Sequence, residues 1–433
     1  MSVSPYRITV RMYQVGFGDC FLLTFRYPGR TKPRHVLIDF GTTAAPSGSP
    51  ARLLGRIADD IRKTVGKDPF AVVATHRHRD HIAGFDPGSN GKGPGAIIAA
   101  LKPQCVVQPW TEQPDLAADA KAPPGFKGLA ARQETLASLQ AIAKHAVEEA
   151  LPTLQRSFQH TATAEQLAFI GEDNISNAGA VRNLMQMGPN DYVYAGKVTK
   201  LARFLPGVKV TVLGPPTVKQ HASVRKERAR DPDEFWSLQG KAFGLDSGSD
   251  STARAALFPG HARATGGSAP RWARWIIKSL RSAHGDQLLE LVRSLDTAMN
   301  NTSVILLFEF GGHRFLFPGD AQIENWEYAL GQKKFTDLLK NVTVYKVGHH
   351  GSLNATPKTL WKEWYPQGAK PLAMDQRMTS FMSTKAGKHG SVASGTEVPR
   401  AKLVTALKKW TRLHSTQELE EALYVDEIFK IQN

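Results

Sequence analysis

The sequence predicts an α/β fold of two strand-rich halves, each carrying helices, with a central polar insertion. Three observations carry this. Apolar runs of strand length recur in both halves with turn residues between them. Stretches with apolar residues at helical spacing follow those strands in each half. Strand-like runs also finish in His or Asp, most visibly where "DPFAVVAT" gives way to "HRHRDH". We read the chain as one domain over 1–433, with a first half of about 1–185, a second of about 186–433 and an insertion of about 219–295.

The elements follow in order. "YRITVRMYQV", "CFLLTFRY" and "RHVLIDFG" are successive strands, and "ARLLGRIADDIRKTVGK" is an amphipathic helix. "DPFAVVAT" and "PQCVVQPW" are short buried strands, and "RQETLASLQAIAKHAVEEAL" is a long helix. The second half reads as strands at "VYAGKVTKLARF", "GVKVTVLGPP", "TSVILLFEF", "HRFLFPGD" and "VTVYKVGHHG". Its helices fall at "ENWEYALGQKKFTDLLK" and "RAKLVTALKKWTRL". Polar, Gly- and Ser-rich sequence from Lys219 to Pro270 reads as an excursion from the core. The glycine-rich stretch Asp86–Gly95 reads as a loop bordering the site described next.

Composition bounds the function. The 433 residues carry a net charge of +16, which favours a polyanionic partner such as nucleic acid. Both cysteines, Cys20 and Cys105, lie in strand-like apolar runs, so we expect buried thiols in a reducing compartment and no disulfide framework. The N-terminal stretch lacks a long apolar run and no segment reaches membrane-spanning length, so a cytoplasmic protein without a membrane span is expected.

The densest chemistry lies in "THRHRDHIAGF", Thr75 to Phe85. His76 and His78 alternate and so share one side of an extended turn, and Asp80 and His81 then turn back towards the same space. Imidazoles and carboxylates are the ligands of transition metals, and two ions about 4 Å apart need two such sets.

This His-x-His-x-Asp-His string resembles the signature of the metallo-β-lactamase superfamily. Asp39 in "LIDFG", Asp320 in "FLFPGD", and His349 and His350 in "YKVGHHGS" match further motifs of that family in order. "QVGFGDCFLLTF", "NNTSVILLFEFGGHRFLFPGDA" and "KVGHHGS" resemble the hydrolase portion of competence-type DNA-uptake proteins, over about Tyr13 to Ser352. The membrane channel of those proteins has no counterpart here, so DNA import is not carried over. The resemblance implies a four-layer αββα sandwich with the metal motifs along one edge of its sheets. It implies one or two zinc or manganese ions held by His76, His78, Asp80, His81, Asp320 and one of His349 and His350, with His350 favoured beside the glycine turn. Asp80 and Asp320 are the catalytic carboxylates in that scheme, acting with a metal-activated hydroxide. Asp19, Asp39, Asn300, Asn301, Lys346 and Ser352 would support the ligands.

One superfamily ligand has no clear match. His145, His160, His221, His261 and His284 are the histidines available for it, while Asn300 or Asn301 lies where the competence-type branch has a polar residue. The first metal would then be incompletely held by protein. Ligands alone do not name the substrate. The cationic stretches "VRKERAR" (with Arg225, Lys226 and Arg228), "RWARWIIKSLR" and "ALKKWTRLH" favour a nucleic acid phosphodiester, single-stranded DNA first. A small-molecule hydrolase (lactonase or cyclic-nucleotide phosphodiesterase) and a non-catalytic nucleic-acid-binding relative are the alternatives.

Overall fold

The computed structural model describes residues 4–29, 31–50, 52–113, 177–217, 219–221, 300–354, 356–390, 392 and 396–431. The expected helix at Arg132–Leu151 lies outside these residues, as does the insertion beyond 221. His145, His160, His261, His284, Arg225, Lys226 and Arg228 lie outside them too.

The first half runs β1 (Arg7–Tyr13), β2 (Cys20–Arg26), β3 (Arg34–Phe40), α1 (Leu53–Val65), β4 (Phe70–Val73), α2 (Arg79–Ile82), α3 (Pro94–Ala100), β5 (Val106–Pro109), α4 (Ala178–Gln186) and β6 (Asn190–Val193). After α5 (Lys200–Phe204) come β7 (Lys209–Gly214), β8 (Ile305–Phe310), β9 (His313–Phe317), α6 (Ile323–Leu330), α7 (Lys333–Leu339) and β10 (Val344–Lys346). The chain finishes with α8 (Lys358–Trp364), β11 (Thr379–Met382), α9 (Ala401–Trp410), β12 (Arg412–Ser415) and β13 (Tyr424–Lys430). The strands form two mixed sheets, ordered β13-β1-β2-β3-β4-β5-β6 and β12-β11-β10-β9-β8-β7. β1 to β3 pair antiparallel and β3 to β6 parallel; in the second sheet β7 to β9 pair antiparallel and β9 to β12 parallel.

Period-two alternation explains why the sheets pack as they do. Ile8, Val10 and Met12 of β1 and Phe21, Leu23 and Phe25 of β2 share one core with Leu306, Phe308, Phe315 and Phe317 of the second sheet. Phe21 meets Phe317 edge-on with ring centroids 5.6 Å apart. The alternate residues Cys20, Leu22, Leu37 and Val72 pack instead with Ile57, Ile61 and Val65 of α1, Ile98 of α3 and Leu184 of α4. On the second sheet, Ile305, Leu307, Leu316 and Tyr345 pack with Trp326 of α6, Phe335 of α7, Trp361 of α8 and Leu403 of α9. Both cysteines are free and buried. Among the described residues no helix is long and apolar enough to cross a membrane.

Several elements differ from the sequence reading. "VYAGKVTKLARF" is not one strand: β6 stops at Val193, Gly196 takes a left-handed turn (φ 85°), and the Thr199 side chain accepts from Leu201 N to start α5. "ENWEYALGQKKFTDLLK" is two helices, broken at Gly331 and Gln332, because glycine is a poor helix former. "RAKLVTALKKWTRL" is helical only to Trp410; Arg412 onwards pairs in parallel with β11. β13 was not anticipated at all, and it returns from the C-terminal end to pair with β1, Arg7 opposite Lys430.

Candidate metal centre

Four strand ends deliver the polar residues to one rim. β3 ends at Asp39–Phe40, β4 leads into Thr75–His78, β9 leads into Gly319–Asp320, and β10 leads into His349–His350. Asp19 joins them because it directly precedes β2, which runs antiparallel to β3. Val304 N–H donates to Thr75 O at 2.9 Å and so ties the two sheets together at this rim.

The His76–His81 string folds as an extended exit from β4 followed by α2, whose first turn carries Asp80 and His81. Backbone clamps fix that turn. Asp19 N–H donates to Asp80 O at 3.0 Å. A Cβ on Gly41 would lie 2.5 Å from the Asp80 carbonyl carbon, so only glycine lets the β3 exit approach this closely.

Asp39, itself in the left-handed region at φ 55°, works as an orienter. Its carboxylate accepts from Thr75 N and Thr75 Oγ1, both at 2.7 Å, and from His81 Nδ1 at 2.8 Å. With Nδ1 protonated and donating, Nε2 is the nitrogen that can face a metal. His350 is set the same way: Nδ1 donates to Ser383 O at 2.9 Å and Nε2 turns inward.

The inward atoms converge. His350 Nε2 lies 2.8 Å from Asp80 Oδ2 and 3.2 Å from Asp320 Oδ2, and His81 Nε2 lies 3.0 Å from Asp320 Oδ2 and 3.8 Å from Asp80 Oδ2. All four ligand atoms fall within 4.8 Å of one another, and all four residues are buried. Two imidazole nitrogens and two carboxylate oxygens are a donor set for a zinc- or manganese-like ion. Without an ion the protons supply the positive charge. Burial pulls the His81 and His350 imidazoliums down, but the Asp320 and Asp80 carboxylates outweigh it and hold His350 up at about 10 and His81 well above its ordinary value. Burial also penalises the two carboxylates, yet the facing imidazoliums keep Asp80 and Asp320 well below the usual range. For His76, burial and the charge of His81 act together to hold the ring neutral, the form that binds metals.

Asp320 divides its two oxygens. Oδ1 accepts from Lys346 Nζ at 3.2 Å and from His349 N at 3.1 Å, which leaves Oδ2 for the ligand cluster. Lys346 is 2 % exposed and also contacts Asp19 Oδ2 and Gly319 O. Burial raises the Asp19 carboxyl against the opposing pull of Lys346.

The structure thus brings Asp80, His81, Asp320 and His350 together. His76 and His78 form a neighbouring pair, Nε2 to Nδ1 at 3.0 Å. The His349 imidazole stands apart from the group: its Nδ1 is 2.8 Å from Ser352 Oγ. Both histidines lie at positive φ, 38° and 51°, and this reverses the chain so that the second ring enters the cluster. Asn300 and Asn301 are buried in the turn before β8, with Asn301 Nδ2 donating to Glu324 Oε2 at 3.4 Å. His221 is also apart, its Nε2 3.3 Å from Glu327 Oε2. Among the described residues, no further His, Cys, Asp or Glu completes a group around His76 and His78.

The Asp86–Gly95 loop is fastened to α4, where Asn183 Nδ2 donates to Phe85 O at 2.8 Å and Gly95 O at 3.0 Å. In "ALKKWTRLH", Trp410 lies 4.8 Å from the Tyr365 ring and His414 stacks on Phe381, while Lys408 and Lys409 are exposed, Lys408 pairing with Glu418 at 3.0 Å. Sequence reasoning missed Thr75, Phe17, Ser383 and His389 at the rim. Thr75 adjoins the histidine string and was legible in principle. Ser383 acts through its carbonyl, which carries no residue signature. Comparison with protein-family models returns no match, and comparison with curated proteins returns none.

Proposed function

We propose that this chain is a metal-dependent hydrolase of phosphodiesters, acting on nucleic acid with single-stranded DNA favoured, built on a four-layer αββα metallo-β-lactamase sandwich. The observation that carries the reading is the convergence of Asp80, His81, Asp320 and His350 within 4.8 Å, from three separate stretches of chain. The sandwich is supported by the inter-sheet core and the two helix-on-sheet cores that flank it.

Those four residues would hold one ion, and His76 with His78 would contribute to a second. A bound divalent ion supplies Lewis acidity and makes a water-derived nucleophile available near neutral pH. The chain's own residues do the rest. Asp39 and the Ser383 carbonyl fix the tautomers of His81 and His350, so their Nε2 atoms face inward. Lys346 anchors one oxygen of Asp320 and leaves the other to the ligand group.

The net charge of +16 supports a polyanionic substrate. A small-molecule substrate, a lactone or cyclic nucleotide, is the second reading. It is favoured by Trp410, a tryptophan of the cationic stretches whose ring packs on Tyr365. Incubating the protein with labelled single-stranded DNA, RNA and a lactone panel, each with zinc or manganese, separates the two. Cleavage of single strands, with log affinity falling against log salt by about 0.7 per neutralised phosphate, is the expected result. Flattening of that slope in an Arg225/Lys226/Arg228 triple alanine variant with unchanged metal content would place the strand on the insertion. Activity confined to lactones overturns the nuclease reading.

A further inference from the structure

Arg7 opens β1 and Arg26 closes β2, and the strand register sets the two directly opposite each other. On its other side Arg7 stands opposite Lys430 of β13. The chain neighbours Ile8, Phe25 and Phe429 point into the core between the sheets, so the three cations lie on the outer, helix-side face of the first sheet. Like charges directly opposite one another destabilise a sheet. Further along β1, on the same face, the arrangement is the reverse: Arg11 pairs with Asp426 at 2.8 Å and with Asp60 at 2.6 Å. Among the described residues Arg7, Arg26 and Lys430 have no such carboxylate, and the Nε atoms of Arg7 and Arg26 are buried without a hydrogen-bond partner.

The cations continue across the sheet. Arg26 lies within electrostatic reach of His35, whose Nε2 is 3.7 Å from Asp68. Asp68 lines an open cavity of about 360 Å³ together with Lys32, Lys67, Lys102 and Gln104. Lys32 Nζ is 4.0 Å from Asp68, and Lys67 and Lys102 are exposed. From β13 to β5 this band crosses five strand spacings, about 24 Å at about 4.8 Å each. It lies at the end of the sheet remote from the metal rim, since β1 starts at Arg7 and β3 at Arg34, whereas Asp39 is at the finish of β3.

A row of cations kept against its own repulsion is accounted for by an anion from outside the chain. Phosphates repeat along an extended nucleic acid strand and match a band of this length. Tyr6, 45 % exposed and with its ring centroid 5.9 Å from the Arg7 guanidinium, adds a surface on which an unpaired base stacks. We propose that this band binds the phosphate backbone of single-stranded nucleic acid and holds the strand on the sheet end away from the metal rim. The inference rests on the nucleic-acid part of the reading above and not on its metal chemistry.

The test is binding of a fluorescent 30-mer of thymidylate to the full chain, in chelator so that no strand is cut, over a range of salt. One triple variant, Lys67→Gln/Lys102→Gln/Lys430→Gln, removes three exposed cations of the band. A control triple, Lys333→Gln/Lys340→Gln/Lys408→Gln, removes the same charge from lysines already paired with Asp337 and Glu418. At about 0.7 per phosphate contact, the band variant should lower the log–log salt slope by about 2 and weaken binding at 0.1 M salt by about 100-fold. Lys430→Gln alone should lower the slope by about 0.7. The control should bind close to wild type. Equal weakening in both triples assigns the effect to net charge and overturns the proposal. Wild type that binds the 30-mer while the band variant binds equally well removes only this band. Wild type that binds no strand at low salt removes the nucleic-acid reading itself. Retained 30-mer binding in the band variant, with loss of its sedimentation with phosphatidylcholine vesicles containing phosphatidylserine, assigns the band to an anionic membrane surface and overturns the proposal.

Discussion

Replacing Asp320 with asparagine keeps its shape and removes one negative charge from the centre of the cluster. In the metal-free protein that charge faces His81 Nε2 at 3.0 Å, His350 Nε2 at 3.2 Å and Lys346 Nζ at 3.2 Å. Its carboxyl is held well below the usual range, so the ionised form stabilises the fold at neutral pH. Removing one partner of a buried ion pair costs about 3–5 kcal/mol. Two features place this loss near the lower end, at about 3 kcal/mol: the imidazoles can release protons, and Lys346 keeps Asp19. Metal adds a second signature. Wild type at a hundredfold excess of metal over Kd gains about 2.7 kcal/mol of stability, and the variant should gain far less. The assay is urea unfolding in chelator and in zinc or manganese, with metal content measured on the same samples. An Asp320→Asn protein that matches wild type in chelator and binds the same equivalents of metal would refute both the charge balance and the ligand assignment.

The other predictions concern protons, orientation and access. His350 titrates at about 10 in the fold against an ordinary 6.5, so its stabilisation is complete below about pH 6.5 and is lost as pH rises through about 10. Metal must displace the protons on His81 and His350, so calorimetry near pH 7 in buffers of different ionisation enthalpy should show release of roughly two protons per ion. Release of none contradicts the assignment. Asp39→Ala removes the acceptor that orients His81 and should weaken metal affinity about 10–100-fold, read by chelator competition. Gly41→Ala places a Cβ 2.5 Å from the Asp80 backbone and should lower metal content while far-UV circular dichroism stays native. Burial pushes the Cys20 thiol well up and Cys105 to about 12, so neither should react with a thiol reagent at pH 8 until the protein is unfolded.

The parts of this protein legible in the sequence are those whose physics is local. Alternation along "RITVRMY" places Ile8, Val10 and Met12 on one face whatever pairs beside them. Thr75 to His81 assemble within one strand exit and one helical turn, so their spacing alone brings His76 to His78 and sets Asp80 beside His81. Tertiary structure decided the rest. His350 reaches Asp80 across 270 positions, and the choice between it and His349 turns on two consecutive left-handed residues. The tautomer of His350 depends on a backbone carbonyl at Ser383, and any residue at that position would present one. The Trp410 ring packs on Tyr365, a contact that no local pattern specifies. β13 and His389 came from sequence that carried no recognisable pattern. Their places follow from strand register against β1 and from contact with Phe17, which exist only once both sheets have formed.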